Sequence, residues 1–223
     1  MPAVDGLVTI LPVTLSTLSN ALVLFVLVGD HGLKSGAALV GGWFVGAWGV
    51  LLLGTLGVLT AVPESPTDVL PALRVVLGFS AIVFGGLALG RLRLRPGAAR
   101  RDQARMAALA DALTPPRSAL LGFALVALSP RQWAFLVPAA VLLAAEVARP
   151  AALGVLPVVG ALVATAGVAA PLIVAGATVR RYPQALPSAR RWWSRHGDRF
   201  GGYAAMAVGC VLLASGVVTA LRG

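Results

Sequence analysis

The sequence predicts an all-α membrane protein, a single domain built from six transmembrane helices. Of its 223 residues, 58% are hydrophobic and only 12% are charged, whereas soluble domains carry about 25% charged residues. Six apolar segments are each long enough to supply the roughly 20 helical residues that cross a bilayer core. None of them alternates with the period of two that a membrane barrel strand would show.

The six segments occupy residues 7–28, 36–60, 70–90, 118–145, 151–178 and 200–221. Four of them carry no charge, the third has Arg74 near one end, and the fourth has Arg131 at its centre. No lysine or arginine precedes the first segment, and its apolar run is too long for the core of a signal peptide. We therefore expect the first segment to be retained as a helix.

Lysine and arginine fall mainly on one side of such a six-helix chain. Fourteen lie on the side that holds residues 29–35, 91–117 and 180–199, and three lie on the other side. Because basic loops stay in the cytoplasm, we predict a multi-pass protein of the cytoplasmic membrane with both termini outside. Topology thus accounts for the net charge of +10, and we do not expect nucleic acid as a partner.

A weak internal repeat divides the chain into two halves. At a constant offset of 131 residues, Gly78, Gly85 and Arg91 correspond to Gly209, Gly216 and Arg222. Three helices per half is an odd number, so the halves must be inverted in the membrane, an arrangement that places transport sites near the midplane. The predicted halves are residues 1–95 and 118–223, joined by a basic cytoplasmic linker at 96–117.

The centre of the fourth segment combines two features that a membrane helix disfavours. A charge such as Arg131 near the midplane costs roughly 2.5–3.5 kcal/mol, and Pro130 leaves the Val126 carbonyl without its usual donor. Ser129 suits the N-cap of a helix, and proline suits the position after it. We therefore predict that the helix breaks here and that a second half-helix starts at Pro130.

The start of such a half-helix is suited to binding an anion. Its amide dipoles direct positive charge toward the break, and Arg131 adds a full charge, with Ser129 and Gln132 beside it. A phosphate, sulfate or carboxylate headgroup fits this chemistry. The alternative is a simple kink, in which Arg131 pairs with an internal counter-ion or extends toward an interface.

The first segment carries a cluster of polar residues that could face the same substrate. These residues are Thr14, Ser16, Thr17, Ser19 and Asn20. Ser16 and Asn20 are four residues apart and therefore share a helix face. We predict that the last four of the cluster line the substrate path, with hydrogen-bonded packing between helices as the alternative.

Four ionisable residues flank these two segments: Asp30, His31, Asp111 and Glu146. They are candidates for proton coupling or for the counter-ion of Arg131, with helix capping or solvent exposure as the alternative. We expect no metal site, because His31 and His196 have no partners at ligand spacing. No cofactor motif or catalytic constellation is present, so we do not expect an enzyme, and Cys210, the only cysteine, excludes an internal disulfide.

Two further motifs concern packing rather than chemistry. Gly42-x-x-x-Gly46 and Gly86-x-x-x-Gly90 predict places where helices approach closely. In the basic region at residues 180–199, Trp192 lies next to another tryptophan. This pair predicts an anchor at the membrane interface.

Taken together, these features resemble the LysE-type exporter superfamily, and within it the actinobacterial peptidoglycolipid-addressing (GAP) family, which includes sulfolipid-addressing proteins. Residues 129–132, Ser-Pro-Arg-Gln, fall where that family has an Asn-Pro-Lys-Asn-like element. Residues 15–16, Leu-Ser, fall where it has an Ala-Leu-Ser-Pro-like element, and residues 209–216 are similar to its last helix. Thr17 replaces the first proline, and Arg131 replaces a lysine with a rigid fork suited to oxyanions.

The resemblance implies a role in moving complex glycolipids to the cell surface of actinobacteria. We therefore expect a transporter that exports or flips a polar or anionic (glyco)lipid, with membrane lipids as its partners. Two alternatives stay open: an exporter of a small amino-acid-like solute, and a non-transporting scaffold for a larger lipid exporter or synthase. A homo-oligomer is compatible with each of them.

Overall fold

The protein is built from helices throughout the part of the chain that its structure, a computed structural model, describes. That part comprises residue 10 and residues 17–28, 32–61, 70–94, 108–110, 112–144, 150–178 and 185–222, and it contains no strand. Its longer helices are α1 (Thr17–Val28), α2 (Gly32–Ala61), α3 (Leu70–Leu94), α4 (Pro115–Ala127), α5 (Pro130–Ala144), α6 (Pro150–Thr178) and α7 (Ala185–Arg222). The all-α prediction is confirmed for these residues.

Several helices are long and apolar enough to cross a membrane. Gly32–Thr60 in α2 and Leu153–Ala177 in α6 each meet this requirement, and α4 with α5 would form a third span if the two are one broken helix. Shorter apolar stretches, Gly78–Leu87 and Ala205–Val218, lie within α3 and α7. These helices indicate a membrane protein with two or three candidate spans among the described residues, and the full set of six stays a prediction.

Helix α2 is the centre of the assembly. It contacts α1, α4, α5 and α6, and its Leu39, Trp43 and Leu51 side chains are completely buried. Its apolar residues are spread around the helix rather than confined to one stripe, as expected for a helix with neighbours on several sides.

Glycine residues allow α2 and α4 to pack backbone against backbone. A Cβ atom on Gly42 would collide with the Ala119 carbonyl oxygen, and one on Gly46 would lie 3.1 Å from the Phe123 carbonyl oxygen. On the opposite helix, a Cβ atom on Gly122 would collide with the backbone of α2. The contact moves from Ala119 to Phe123 on α4 as it moves from Gly42 to Gly46 on α2. The two helices therefore run parallel. The packing role predicted for Gly42 and Gly46 is confirmed.

A second close pair joins α3 and α7, which run antiparallel. A Cβ atom on Gly78 would lie 2.7 Å from the Gly209 carbonyl oxygen, and one on Gly209 would lie 2.7 Å from the Gly78 carbonyl oxygen. Gly85 and Gly202 form a similar contact seven residues further along. The glycines at the offset of 131 residues, Gly78 and Gly209, are therefore direct and reciprocal neighbours.

The other glycine motif makes no close helix contact among the residues that the structure describes. No described atom lies within 4 Å of a Cβ atom built on Gly86 or Gly90. Gly85, the residue before this motif, makes the contact with α7 instead. A sequence spacing of four marks a small-residue stripe on a helix, but it does not identify which face a neighbouring helix covers.

Residues from four apolar segments meet around Gly160 of α6. A Cβ atom built there would lie 2.9 Å from Leu51 of α2. It would lie 3.3 Å from Leu143 of α5 and 3.3 Å from Ile10 of the first apolar segment. All three leucine and isoleucine side chains are buried. Gly160 therefore leaves the space in which the start of the first segment, α2 and α5 come together.

Helix α7 is longer than the sixth apolar segment. It begins at Ala185, inside the region predicted as a basic loop, and continues for 38 residues to Arg222. Pro187 lies in its first turn, where a missing amide donor costs nothing, and no other proline follows. At 1.5 Å per residue this helix exceeds the roughly 30 Å of a hydrocarbon core by nearly a factor of two.

Replacing Gly42 by alanine should separate α2 from α4. Because the new methyl group would collide with backbone rather than with a movable side chain, we expect a loss of about 1–3 kcal/mol in stability, measured as a lower unfolding temperature in detergent. Gly41→Ala is the matched control, since no described atom lies within 4 Å of its Cβ position, and it should leave the unfolding temperature unchanged or slightly raised. Equal effects of the two substitutions would contradict the close packing.

Candidate functional site at the break between α4 and α5

The fourth segment is broken at the predicted position. Helix α4 ends at Ala127 and α5 begins at Pro130, and their axes form an angle of 71°. Ser129 precedes α5, and its carbonyl oxygen accepts hydrogen bonds from the amides of Gln132 at 3.0 Å and Trp133 at 3.2 Å. Ser129 therefore occupies the N-cap position, since the carbonyl of an N-cap residue accepts the first bond of its helix.

The carbonyl groups at the end of α4 find substitute donors. Pro130 has no amide hydrogen, so the Val126 carbonyl instead accepts a bond from the Ser129 amide at 3.3 Å. The Ala127 carbonyl accepts a bond from the indole Nε1–H of Trp133 at 3.0 Å. These bonds matter because an unpaired backbone group in hydrocarbon costs several kcal/mol.

Trp133 is a residue of the site that the sequence reasoning missed. Its indole bridges from the first turn of α5 back across the break to the last residue of α4. A tryptophan within reach of carbonyls freed by a proline is the signal that could have identified it, because the indole N–H of a half-buried tryptophan needs an acceptor.

The break has a buried side and an exposed side. Gln132 is 5% exposed, whereas Leu128 is 79% and Trp133 is 46% exposed. Ser129 is half-buried and Pro130 is exposed. An amide side chain thus faces the helices, while the turn between α4 and α5 faces outward from them.

Arg131 lies in the first turn of α5, directly after the break. The amide dipoles of α5 give this end of the helix partial positive charge, and the binding of an anion there stays a prediction. The position of the arginine side chain lies outside the described part of the structure.

The predicted residues of the first segment are only partly described. Thr17, Ser19 and Asn20 lie on α1, and Ser16 lies outside the described residues. Helix α1 contacts α2 and α6, which α5 contacts as well. The first and fourth segments therefore share two neighbours, but α1 makes no extensive contact with α4 or α5 among the residues described.

The candidate coupling residues cannot be placed relative to the break. Asp30, His31, Asp111 and Glu146 all lie outside the described residues. Among the residues that the structure does describe, no group of three or more histidine, cysteine, aspartate or glutamate side chains could hold a metal ion.

Helix α2 supplies buried polar groups near the two half-helices. Ser35 donates a hydrogen bond to the Leu113 carbonyl at 3.1 Å. Thr55 donates chiefly to the Leu51 carbonyl of its own helix at 2.7 Å, and its hydroxyl also lies 3.5 Å from the Ala140 carbonyl of α5. Trp43 Nε1 on α2 and Ser118 Oγ on α4 are buried without a hydrogen-bond partner among the described residues. Each such atom carries an uncompensated desolvation cost of about 1–3 kcal/mol.

The comparison with known families covers nearly the whole chain. A model of the family described as Sap, sulfolipid-1-addressing protein (SfLAP), matches residues 7–218. The match includes all of α4 and α5 and the break between them. The chain belongs to the sulfolipid-1-addressing protein family. No curated protein sequence and no solved structure shows significant similarity to it.

For this Sap-family chain, replacing Trp133 by phenylalanine should weaken the turn between the half-helices. The substitution keeps an aromatic ring but removes the indole N–H that donates to the Ala127 carbonyl. We expect a loss of about 1–3 kcal/mol, measured as a lower unfolding temperature in detergent. Trp48→Phe, at a comparably exposed position on α2, is the control and should change the temperature little. An unfolding temperature of Trp133→Phe equal to that of the control would show that the indole bond does not stabilise the break.

Proposed function

We propose that this Sap-family protein moves a polar-headed, anionic lipid across the cytoplasmic membrane. The observation that carries the proposal is the broken fourth segment, with a buried amide on one side and an exposed turn on the other. Membership of a family described by sulfolipid addressing supports a lipid, and the sulfated glycolipids are the substrate class with the matching charge.

The headgroup would bind at the start of α5. Arg131 would supply a full positive charge, the helix N-terminus would add its partial charge, and Ser129 and Gln132 would offer polar side chains. Arginine suits a sulfate or phosphate better than lysine does, because its planar fork can donate two parallel hydrogen bonds to one oxyanion.

The acyl chains would remain in the bilayer while the headgroup is bound. Leu128 and Trp133 are exposed on the outer side of the break, so a lipid could approach from the side without entering a closed pocket. This lateral access favours a lipid over a small amino-acid-like solute, which would need an enclosed aqueous path.

An inverted repeat would supply the second half of the path. The reciprocal contact of Gly78 and Gly209 supports it, because residues related by a two-fold axis meet each other where that axis passes between their helices. The parallel packing of α2 and α4 and the antiparallel packing of α3 and α7 support six spans with both termini outside. A LysE-type architecture is part of the same proposal. Under this arrangement Ser16, Thr17, Ser19 and Asn20 would line the path opposite the break.

Proton coupling is the remaining part of the proposal. Asp30 and His31 follow α1, and Asp111 and Glu146 flank the broken segment. A carboxylate or imidazole at either end of the path could exchange a proton with water as the headgroup binds and leaves. The protein would then act as a transporter rather than as an enzyme.

Arg131→Ala should strongly slow lipid movement in liposomes that contain only this protein. We expect the initial rate for a fluorescent sulfated glycolipid to fall at least tenfold, since a hydrogen bond to a charged group is worth roughly 1.5–3 kcal/mol. Movement is followed by quenching of the fluorophore in the outer leaflet. Arg131→Lys should retain part of the rate, and Arg117→Ala, at an exposed position of α4, should retain all of it.

The other outcomes separate the competing functions. A normal rate for Arg131→Ala would remove Arg131 from the mechanism. Wild-type protein that moves no lipid alone, but does so together with a stoichiometrically co-purified exporter, would identify an accessory scaffold. Uptake of radiolabelled amino acids by the same liposomes, without lipid movement, would identify a solute exporter.

A further inference from the structure

The first four turns of α7 expose basic and aromatic side chains together. Arg191, Trp192, His196 and Arg199 are all exposed, with half of the Trp192 surface accessible. Phe200 is exposed at the start of the apolar part of the same helix. The proposed lipid site does not use these residues.

These side chains lie on one face of the helix. Positions four or eight residues apart, such as 192, 196 and 200 or 191 and 199, follow one another along a helix surface. The rings of Trp192 and His196 stack with their centroids 5.4 Å apart. Arg191 donates a hydrogen bond to Ser188 at 3.0 Å, which holds part of the face together one turn further from the apolar segment.

The face lies just outside the apolar part of the helix pair. Gly202 of α7 contacts Gly85 and Leu89 of α3, so the two apolar helices are still paired at that level. From Phe200, a rise of 1.5 Å per residue places Trp192 and Arg191 about 12–14 Å away along the helix axis. A headgroup layer is roughly 5–7 Å thick, and an anionic surface acts over a further Debye length of about 8 Å.

We propose that this α7 face, Arg191, Trp192, His196 and Arg199, binds the anionic headgroups of the surrounding bilayer. Counted from Phe200 at 1.5 Å per residue, Arg199 and His196 lie about 2 and 6 Å from the apolar segment, within the headgroup layer. Trp192 and Arg191 lie beyond that layer but within its electrostatic field. The two arginines supply the charge that complements phosphate, and Trp192 stacks on His196. The face would hold anionic lipids beside the protein and fix the height of α7 in the membrane.

Lipid suits this surface better than an acidic protein does, because the charged part of the surface continues directly into an apolar part. The basic face passes without a helix break into Phe200 and Tyr203, which are also exposed at the boundary of the apolar segment. A partner that covers the whole surface must present a charged layer next to an apolar layer, within a few ångströms of each other. The headgroups and acyl chains of a bilayer are arranged in this way.

The test compares two pairs of charge removals. Purified protein is equilibrated in nanodiscs with equimolar phosphatidylglycerol and phosphatidylcholine, and the lipids that remain bound are counted by native mass spectrometry. Wild-type protein should retain phosphatidylglycerol preferentially. Arg191→Gln with Arg199→Gln should lower this preference about fivefold or more, as expected from the charge contribution of each residue near an anionic surface.

The control pair is Lys34→Gln with Arg117→Gln, which removes the same charge from exposed positions on α2 and α4. It should leave the preference unchanged, and Arg191→Lys with Arg199→Lys should retain most of it. An equal loss in both glutamine pairs would overturn the proposal in favour of a general charge effect. An unchanged preference in Arg191→Gln with Arg199→Gln would overturn it as well and leave an acidic protein as the partner to seek.

Discussion

The structure depends on how backbone carbonyl groups are satisfied where Pro130 interrupts the fourth segment. In a hydrocarbon environment water cannot replace the lost donors, so protein groups must do so. The Ser129 amide and the Trp133 indole supply them to Val126 and Ala127. Once these bonds form, the chain can turn by 71° without leaving those two groups unpaired, and a new helix can start at Pro130.

The broken segment is held in place by its contact with α2. Glycines on both helices remove the side chains that would otherwise separate the two backbones, and apolar packing against lipid alone would provide little force for this association. Close contact increases dispersion attraction and fixes the position of α4, while Thr55 reaches α5 beyond the turn. Helix α2 therefore connects both half-helices to the rest of the protein.

Two proposed lipid contacts of this Sap-family protein differ in depth and in kind. The break between α4 and α5 would bind one headgroup by directed hydrogen bonds, in surroundings where charge is costly and selectivity is correspondingly high. The α7 face would bind several headgroups at the bilayer surface, where water and salt screen each interaction.

Sequence alone determined the features that depend on local chemistry and composition. Apolar segments predicted the helices, Ser129 and Pro130 predicted the break, and small residues predicted the contact at Gly42. Tertiary structure decided which glycines meet another helix: Gly78 meets Gly209, and Gly85 rather than Gly86 or Gly90 contacts α7 among the described residues. The bond from Trp133 to Ala127, six residues apart, was decided by the turn between α4 and α5. The physical reason is that a proline or a cap acts within one helical turn. The face that a glycine presents is set only when helices pack, and the carbonyl that the indole reaches is set only by the angle at the break.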